Sequence, residues 1–585
     1  MTSRTIMCSR TVVVITAVLL AVLSIAWRGL GTDGQAWRHV IGGDAEGYHA
    51  YMEGLVVQGD LAHVRTAEHH FAPAGDGRVI KYFCGTALLQ APFTITAHVV
   101  ALALGTADGR SLPYAIAIML AGWFYAVSGM LGLRAVLRGL GLHDGAVAFT
   151  LALLVLGTGL PYYAVITPGM AHVYGFAMLA WALAFAQRAF RSPHPPALTL
   201  LGACIALLIL VRPTDALALL ALPAALRRDG SLRTSLPRAG TLLVPTLVTV
   251  ALLALQPLLW HAQCGAWWVS PYAGEGFLWD RPMTWSLLFG ARKGFFFYWP
   301  LLLLVVPGLF VLLRSHRIAA IALITAIGTA TYVIGCWWIW YYGYSYGARP
   351  FIDLLPLFAL PIAHLADGLL RSGRGMLLLS SVPLMGLQLF QCWQYEAGLI
   401  HPYNMEREKY RMIFLRTDPM LRDAFGGAGR VPPYAPHGLR TVASIGHEGD
   451  TLTWSGGRWS GAPSAIHAAL DSTEHFTPAL IVRNGLPTKV PLFVEVSLRS
   501  RALDRGTTAN ARLVCTYRNG EQERDYQSWP VNDLPLSDDR GWRPWRYSLI
   551  MPAPMTGDEL RCYVWLNGPG RMEVRDLRIR VSCPR

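Results

Sequence analysis

Long apolar segments recur through the first 395 residues, and they constrain the fold more than any other feature of the chain. Of the 585 residues, 53% are hydrophobic and only 15% are charged, whereas a soluble domain carries about 25% charged residues. Segments of roughly 20 apolar residues are long enough to cross a bilayer as helices. The sequence therefore predicts a polytopic α-helical membrane protein and excludes an ordinary soluble enzyme.

The net charge of +14 does not indicate a nucleic-acid partner. Many of the arginines stand in short loops between apolar segments, where positive residues orient helices toward the cytoplasm. The sequence contains no DNA-reading motif and no basic aromatic binding surface. We therefore expect membrane lipids, and no nucleic acid, as partners of this chain.

The basic loops predict a topology. Segment 11–26 follows Arg4 and Arg10 and ends without a clear cleavage site, so we interpret it as a spanning helix with a cytoplasmic N-terminus rather than as a signal peptide. If segment 86–104 lies along the outer interface, every later basic loop falls on the cytoplasmic side. This arrangement predicts eleven crossings of a bacterial inner (cell) membrane, with the C-terminal region periplasmic or extracellular. Besides 11–26, the expected crossings are 113–133, 146–163, 169–190, two within 197–226, 241–260, 296–313, 319–338, 351–370 and 376–393.

The apolar segment 197–226 differs from the others because Val211-Arg212-Pro213 interrupts it. Proline removes a backbone hydrogen-bond donor, and an arginine is costly against lipid. Irregular backbone at this depth is tolerated only where it is covered by protein or lines a cavity. We therefore predict two half-length helices that meet at a polar cavity.

The composition changes at about residue 401 to short alternating runs separated by turn residues. Such spacing predicts a β-sandwich, so we divide the chain into a transmembrane domain (1–395), a linker (396–440) and an extracytoplasmic β-sandwich (441–585). A Cys515–Cys562 bridge would form there if the domain faces an oxidising compartment. The candidate strands are 479–482, 492–498, 511–517, 545–550, 562–566 and 572–581.

An acidic, aromatic loop follows the first predicted span, with the sequence Gly43-Asp44-Ala45-Glu46-Gly47-Tyr48. Two later outer loops, 261–295 and 337–350, interleave aromatic residues with glycine and arginine more densely than membrane anchoring requires. A carboxylate beside fixed cations at the outer membrane face favours a site where a hydroxylated substrate meets a membrane-borne anion.

These features together resemble the membrane-embedded GT-C glycosyltransferases, over roughly residues 10–395. That family includes the protein O-mannosyltransferases and the lipid A aminoarabinose transferases. Segments 81–93 and 349–356 resemble uncharacterised bacterial relatives, and the C-terminal region resembles jelly-roll carbohydrate-binding modules. The resemblance implies a polyprenyl-phosphate-sugar donor and transfer, on the non-cytoplasmic side, to a hydroxyl of a protein, lipid or glycan acceptor.

The resemblance places the catalytic base at Asp44, with Glu46 as the second candidate because Ala45 separates the two carboxylates. A turn or helix cap is the structural alternative for Asp44. The cations expected to bind the donor phosphate are Lys81, Arg292, Lys293, Arg349 and Arg212. The alternative is head-group anchoring for the first four and a structural pairing for Arg212. The residues expected to contact substrate, with packing, capping or an aromatic belt as alternatives, are Tyr48, His172 and Tyr346.

We predict no cofactor and no metal site, although a divalent ion could enter with the phosphate. One base with no covalent nucleophile favours inversion by direct displacement.

Two other classes of function remain open from the sequence. A transporter or flippase of lipid-linked saccharides would also need many spans and a broken helix, but it should show related halves, and none is found. A membrane-anchored assembly protein that binds polysaccharide through its β domain would not need eleven spans. Loss of function on Asp44→Asn, with normal folding, would count against both.

Overall fold

The computed structural model describes residues 8–30, 34–64, 66, 70–75, 77–225, 239–272, 275–403, 405–422, 424–425, 439–446, 459–460, 467–483, 485–503, 511–531, 542–567 and 570–584. The chain divides into two compact units, Met1–Cys392 and Trp393–Arg585. The first is helical, and the second contains most of the β-structure.

The helical unit contains fifteen α-helices among its described residues. They are α1 Ser9–Ser24, α2 Asp44–Met52, α3 Gly85–Ala103, α4 Leu112–Gly139, α5 Asp144–Leu156, α6 Leu160–Val165, α7 His172–Arg191, α8 Pro195–Val211, α9 Ala239–Cys264, α10 Thr284–Phe289, α11 Phe295–Tyr298, α12 Val305–Ser315, α13 Arg317–Cys336, α14 Leu355–Arg371 and α15 Val382–Glu396, the last of which runs on into the second unit. A short hairpin, β1 Phe71–Ala74 and β2 Gly77–Ile80, lies between α2 and α3.

Seven helices within the described ranges are long and apolar enough to cross a membrane. They are Ser9–Arg28, Gly85–Ala103, Leu112–Gly139, His172–Arg191, Gly240–Cys264, Arg317–Cys336 and Gly375–Glu396. Four further apolar helices are shorter: Asp144–Leu156, Pro195–Val211, Pro213–Ala225 and Pro300–Ser315. The prediction of a helix-rich membrane protein is confirmed, whereas eleven crossings and their orientation stay predictions.

The predicted break in segment 197–226 is confirmed. Helix α8 ends at Val211, and Arg212 has extended backbone angles (φ −157°, ψ 113°). A separate 3-10 helix, Pro213–Ala225, follows. Because Pro213 has no N–H to continue the ladder of α8, the chain changes direction here.

Helix α3, the segment expected to lie along the interface, runs antiparallel to the first half of α4. The Tyr125 hydroxyl donates to the carbonyl of Leu89 (3.0 Å), and Nδ1 of His98 lies 2.6 Å from the Tyr114 hydroxyl. Gly85, the first residue of α3, packs so closely on the end of α8 that a Cβ there would overlap the Leu210 carbonyl. Helix α3 also has the length and apolarity of a span, so its interfacial placement stays a prediction.

The second unit consists of one short helix and two antiparallel sheets. Helix α16, Arg407–Ile413, lies in the expected linker, and its buried Lys409 faces Asp525 at 3.9 Å. One sheet has the order β10-β7-β12-β5-β4, with β3 also paired to β12, and the other has the order β6-β11-β8-β9. The strands are β3 Leu439–Gly446, β4 Trp459–Ser460, β5 His467–Leu470, β6 Leu480–Val482, β7 Leu492–Ala502, β8 Ala511–Asn519, β9 Gln522–Pro530, β10 Arg543–Met551, β11 Glu559–Leu566 and β12 Met572–Pro584.

All six strands expected from the sequence are confirmed within a residue or a few at their ends. Buried residues of both sheets form one core, and Trp529 is fully buried in it. Cys515 and Cys562 are direct cross-strand partners in the core; both are free thiols, with their Sγ atoms 3.0 Å apart.

Candidate active site

The Asp44 carboxylate is held by two groups from distant parts of the chain. Helix α2 begins at Asp44 itself, and the N-cap position before it is occupied by Gly43. One carboxylate oxygen lies 2.8 Å from Nη1 of Arg349, and the Tyr82 hydroxyl donates to the other at 3.0 Å. Its side chain is 32% exposed, so the carboxylate is paired and still reachable.

The same contacts set the charge of this carboxylate. Burial raises the pKa of Asp44, but the Arg349 charge and the Tyr82 hydrogen bond outweigh it and hold the pKa below the ordinary value. Asp44 therefore stays ionised at neutral pH. Its position at the start of α2 adds to this effect because the positive end of a helix favours a negative charge.

Tyr82 is fixed in place by close packing against α2. A Cβ on Gly47 would overlap the Tyr82 ring, so only glycine allows this approach. The Tyr48 ring also packs against Tyr82, with ring centroids 4.7 Å apart, and Nδ1 of His70 lies 3.3 Å from the Tyr82 hydroxyl. A rigid tyrosine gives the Asp44 carboxylate one orientation.

A second ion pair lies at the break after α8. Nη1 of Arg212 is 2.8 Å from the fully buried carboxylate of Asp353, and Nδ1 of His172 is 3.3 Å from the same group. A Cβ on Gly175 of α7 would stand 2.9 Å from Oδ1 of Asp353, so the glycine at this position leaves room for the Asp353 carboxylate. Asp353 therefore fixes Arg212 and His172 together.

The two ion pairs belong to one site. Arg212, Arg349 and Asp44 all act electrostatically on Tyr48 and on Tyr272. Burial is the main cause that raises the pKa of Tyr272 to about 12, so its hydroxyl stays protonated and able to donate. The site thus combines the accessible carboxylate of Asp44 with two arginines and tyrosine hydroxyls.

The other cations expected at the donor phosphate each have a protein partner. Lys81 pairs with Glu275 at 3.0 Å, and the guanidinium of Arg292 lies 3.6 Å from the ring centroid of Tyr341. Lys293 is buried and donates to the carbonyl of Ser345; burial, together with the nearby Arg349 and Arg292 charges, lowers its pKa. Their phosphate-binding roles stay predictions.

Glu46 and Tyr346 also lie in contacts of their own. Glu46 faces away from Asp44 and pairs with Arg110 at 2.9 Å, while the Thr66 hydroxyl donates to it at 2.9 Å. Tyr346 is fully buried, and its hydroxyl donates to Oε1 of Gln388 at 2.8 Å. Neither role expected from the sequence is tested by these contacts.

No role was predicted from the sequence for Tyr82, Asp353 or Tyr272. Tyr82 and Asp353 stand inside segments that carried the family resemblance, beside Lys81 and after Arg349. Their positions in the sequence therefore pointed toward the site, but the sequence did not show which residues they contact.

Comparison with known proteins adds little to this geometry. No family model matches the chain, and no curated protein is similar to it at a significant level. Among solved structures, the chain is similar to the arabinosyltransferase EmbB from Mycobacterium smegmatis, with 14% identity and a TM-score of 0.31, over 97% of this chain and 68% of that chain. Superposition at that score does not establish a shared fold.

Proposed function

We propose that this protein is an integral-membrane glycosyltransferase that moves one sugar from a polyprenyl-phosphate carrier to a hydroxyl acceptor. The observation that carries the proposal is the ion pair between the accessible carboxylate of Asp44 and Arg349, a cation that also interacts electrostatically with a second arginine, Arg212. Sugar transfer from a phosphate carrier needs these two functions, a proton acceptor and fixed positive charge.

Asp44 accepts the proton of the acceptor hydroxyl in the proposed reaction. The acceptor oxygen forms a bond to the anomeric carbon as the bond from that carbon to the phosphate oxygen breaks. The electron pair of the broken bond leaves with the polyprenyl phosphate, whose charge Arg349 and Arg212 stabilise. One carboxylate suffices for a single displacement, so inversion at the anomeric carbon is expected.

Arg349 contacts the proton acceptor Asp44 and, in the proposed reaction, also binds the donor phosphate. It is mostly buried, and its Nε atom has no hydrogen-bond partner among the described residues, although Nη1 is bound to Asp44. A donor phosphate that enters the site can therefore bind Nε and compete with Asp44 for the same guanidinium. That competition would weaken the hold on Asp44 when the donor is bound, and the base would become available with its substrate in place.

Transfer of radiolabelled sugar from synthetic polyprenyl-phosphate-hexose and -pentose donors tests the proposal. Purified protein is incubated with donor and a crude envelope extract as acceptor. Wild type should transfer sugar, and Asp44→Asn should not, whereas Asp60→Asn should behave as wild type. Asp60 is a matched control because it is another carboxylate between α1 and α3, outside α2, and its partner is the exposed His63.

Two results would overturn the proposal. One is the absence of transfer from every donor by a wild-type protein that is folded. The other is movement of donor lipid across vesicles, without transfer and without an effect of Asp44→Asn, which would favour a flippase.

A further inference from the structure

The outer face of the six-stranded sheet in the second unit is rich in arginine. Alternate residues of its three longest strands, β7, β10 and β12, lie in the core, as Val494, Val496 and Leu498 do in β7, so the residues between them face away from the core. We call the outward charged residues of these strands the arginine face. Its arginines are Arg499, Arg501, Arg546, Arg575, Arg578 and Arg580.

The carboxylates of these three strands balance only half of this positive charge. Glu495 is shared by two arginines, 2.7 Å from Nη2 of Arg546 and 3.9 Å from Nη1 of Arg580. Glu573 pairs with Arg501, and the third carboxylate is shared by two arginines, as Glu495 is. The side chains of Arg546 and Arg580 are 55% and 59% exposed, so an external anion can reach them.

One end of the arginine face is aromatic as well as basic. Arg499 and Arg575 are direct cross-strand neighbours, and like charges in that arrangement repel; the Asp576 carboxylate lies 3.8 Å and 3.6 Å from their Nε atoms. The Trp542 ring meets the guanidinium groups of Arg501 and Arg575, at 4.9 Å and 4.2 Å from its centroid. Tryptophan is enriched at the interface between bilayer and water, and a bound anion would relieve the repulsion between the arginines.

We propose that the arginine face docks on the anionic phospholipid surface of the membrane that the chain spans. Planar guanidinium groups bind phosphates through paired hydrogen bonds, and a negative bilayer surface attracts basic residues that lie close to it. The candidate span Gly375–Glu396 is separated from β3 only by segment 397–438. This tether keeps the domain at a high effective concentration near the bilayer, an advantage that a soluble polyanion does not have.

Quenching of a fluorophore by labelled lipid tests the proposal. Full-length protein with the substitution Ser444→Cys is labelled with bimane and reconstituted into lipid nanodiscs that contain doxyl-labelled phospholipid. Ser444 is exposed and lies directly opposite Arg580 on the neighbouring strand, and protein without the substitution, treated in the same way, gives the background from the native thiols. Quenching should be strong in discs of phosphatidylcholine with phosphatidylglycerol, weak in discs of phosphatidylcholine alone, and reduced by added salt.

Variants of the labelled protein identify the surface that docks. Arg580→Gln should weaken docking about fivefold, the usual effect of one basic side chain at an anionic bilayer surface, and it should fold because Glu495 keeps Arg546. Adding Arg578→Gln should weaken docking further, to on the order of 20-fold. Arg483→Gln is the matched control, since Arg483 is a 48% exposed arginine that follows β6 of the other sheet, and it should dock as the parent protein does.

The effect should be independent of sugar transfer, so Asp44→Asn should dock normally. Equal quenching in neutral and anionic discs would overturn the proposal, because the charge of the lipid would then have no role. Equal loss of docking in Arg483→Gln and Arg580→Gln would show that the arginine face is not the docking surface. Absence of quenching in every disc would show that this face does not meet the bilayer.

Discussion

Replacement of Arg349 by glutamine separates its two proposed roles. The change keeps a polar, though shorter, side chain and removes the charge that lies 2.8 Å from Asp44. Loss of one fixed donor to a developing negative charge typically costs about 10²–10³-fold in kcat. We expect a fall of that size at neutral pH, where Asp44 stays ionised, because the departing phosphate loses its main cation. Arg212 remains, which should preserve a residual rate.

The same substitution should also change the shape of the pH profile. Arg349 holds the pKa of Asp44 below its ordinary value, and a base must be ionised to accept a proton. Without that cation the pKa of Asp44 rises, since burial, the opposing cause, remains. Activity should therefore disappear at a higher pH than in wild type as the solution is acidified.

Tyr82→Phe is the matched comparison. It removes the second group that lowers the pKa of Asp44 but leaves both arginines in place. The acidic limb should move in the same direction, while the rate at neutral pH falls by about 10-fold to 150-fold at most, because one hydrogen bond to a charged group contributes ~1.5–3 kcal/mol and each 1.4 kcal/mol is tenfold. Rates of transfer measured from acidic to neutral pH give both the position of the acidic limb and the rate at neutral pH. An Arg349→Gln variant with an unchanged neutral rate, or with its acidic limb at lower pH, would refute the assignment.

Three further changes have defined outcomes. Gly47→Ala should reduce transfer on the order of tenfold, because the new methyl group displaces Tyr82; Gly328→Ala, where a methyl group meets open space, should have no such effect in the same assay. Asp353→Asn should lower the midpoint of thermal unfolding in detergent and reduce transfer, since breaking a buried ion pair costs about 3–5 kcal/mol; an unchanged midpoint would contradict its anchoring role. Protein isolated from an oxidising compartment should carry a disulfide at Cys515, whose cross-strand neighbour is another thiol; non-reducing peptide mapping that finds only free thiols would show that this domain stays reduced.

The parts of the fold that depend on local chemistry were predictable from the sequence. A proline that follows an arginine inside an apolar run is expected to end the helix. Helix α8 does end at Val211, and Arg212 has extended backbone angles. The strands from Leu492 onward carry alternating apolar residues, which is a local signal.

The composition of the site was less predictable, because it depends on contacts between distant parts of the chain. Arg212 and Asp353 are 141 positions apart, and nothing in either neighbourhood indicates the other. Lys81 and Lys293 were grouped with Arg349 because all three are predicted near the outer interface. The sequence does not show that Lys81 pairs with Glu275 or that Lys293 donates to the Ser345 carbonyl. The sequence therefore indicated the residue types of the site and left the pairing among them to the fold.

Side-by-side transfer by Asp44→Asn and Glu46→Gln is the most direct measurement. Both replace a carboxylate with an amide on the same helix, two residues apart, but Asp44 meets Arg349 and Glu46 meets Arg110. With one polyprenyl-phosphate-sugar donor and both variants equally folded, we expect Asp44→Asn to lose transfer and Glu46→Gln to retain most of it. Transfer retained by Asp44→Asn but lost in Glu46→Gln would show that the base is Glu46 and that the pair formed by Asp44 and Arg349 is structural.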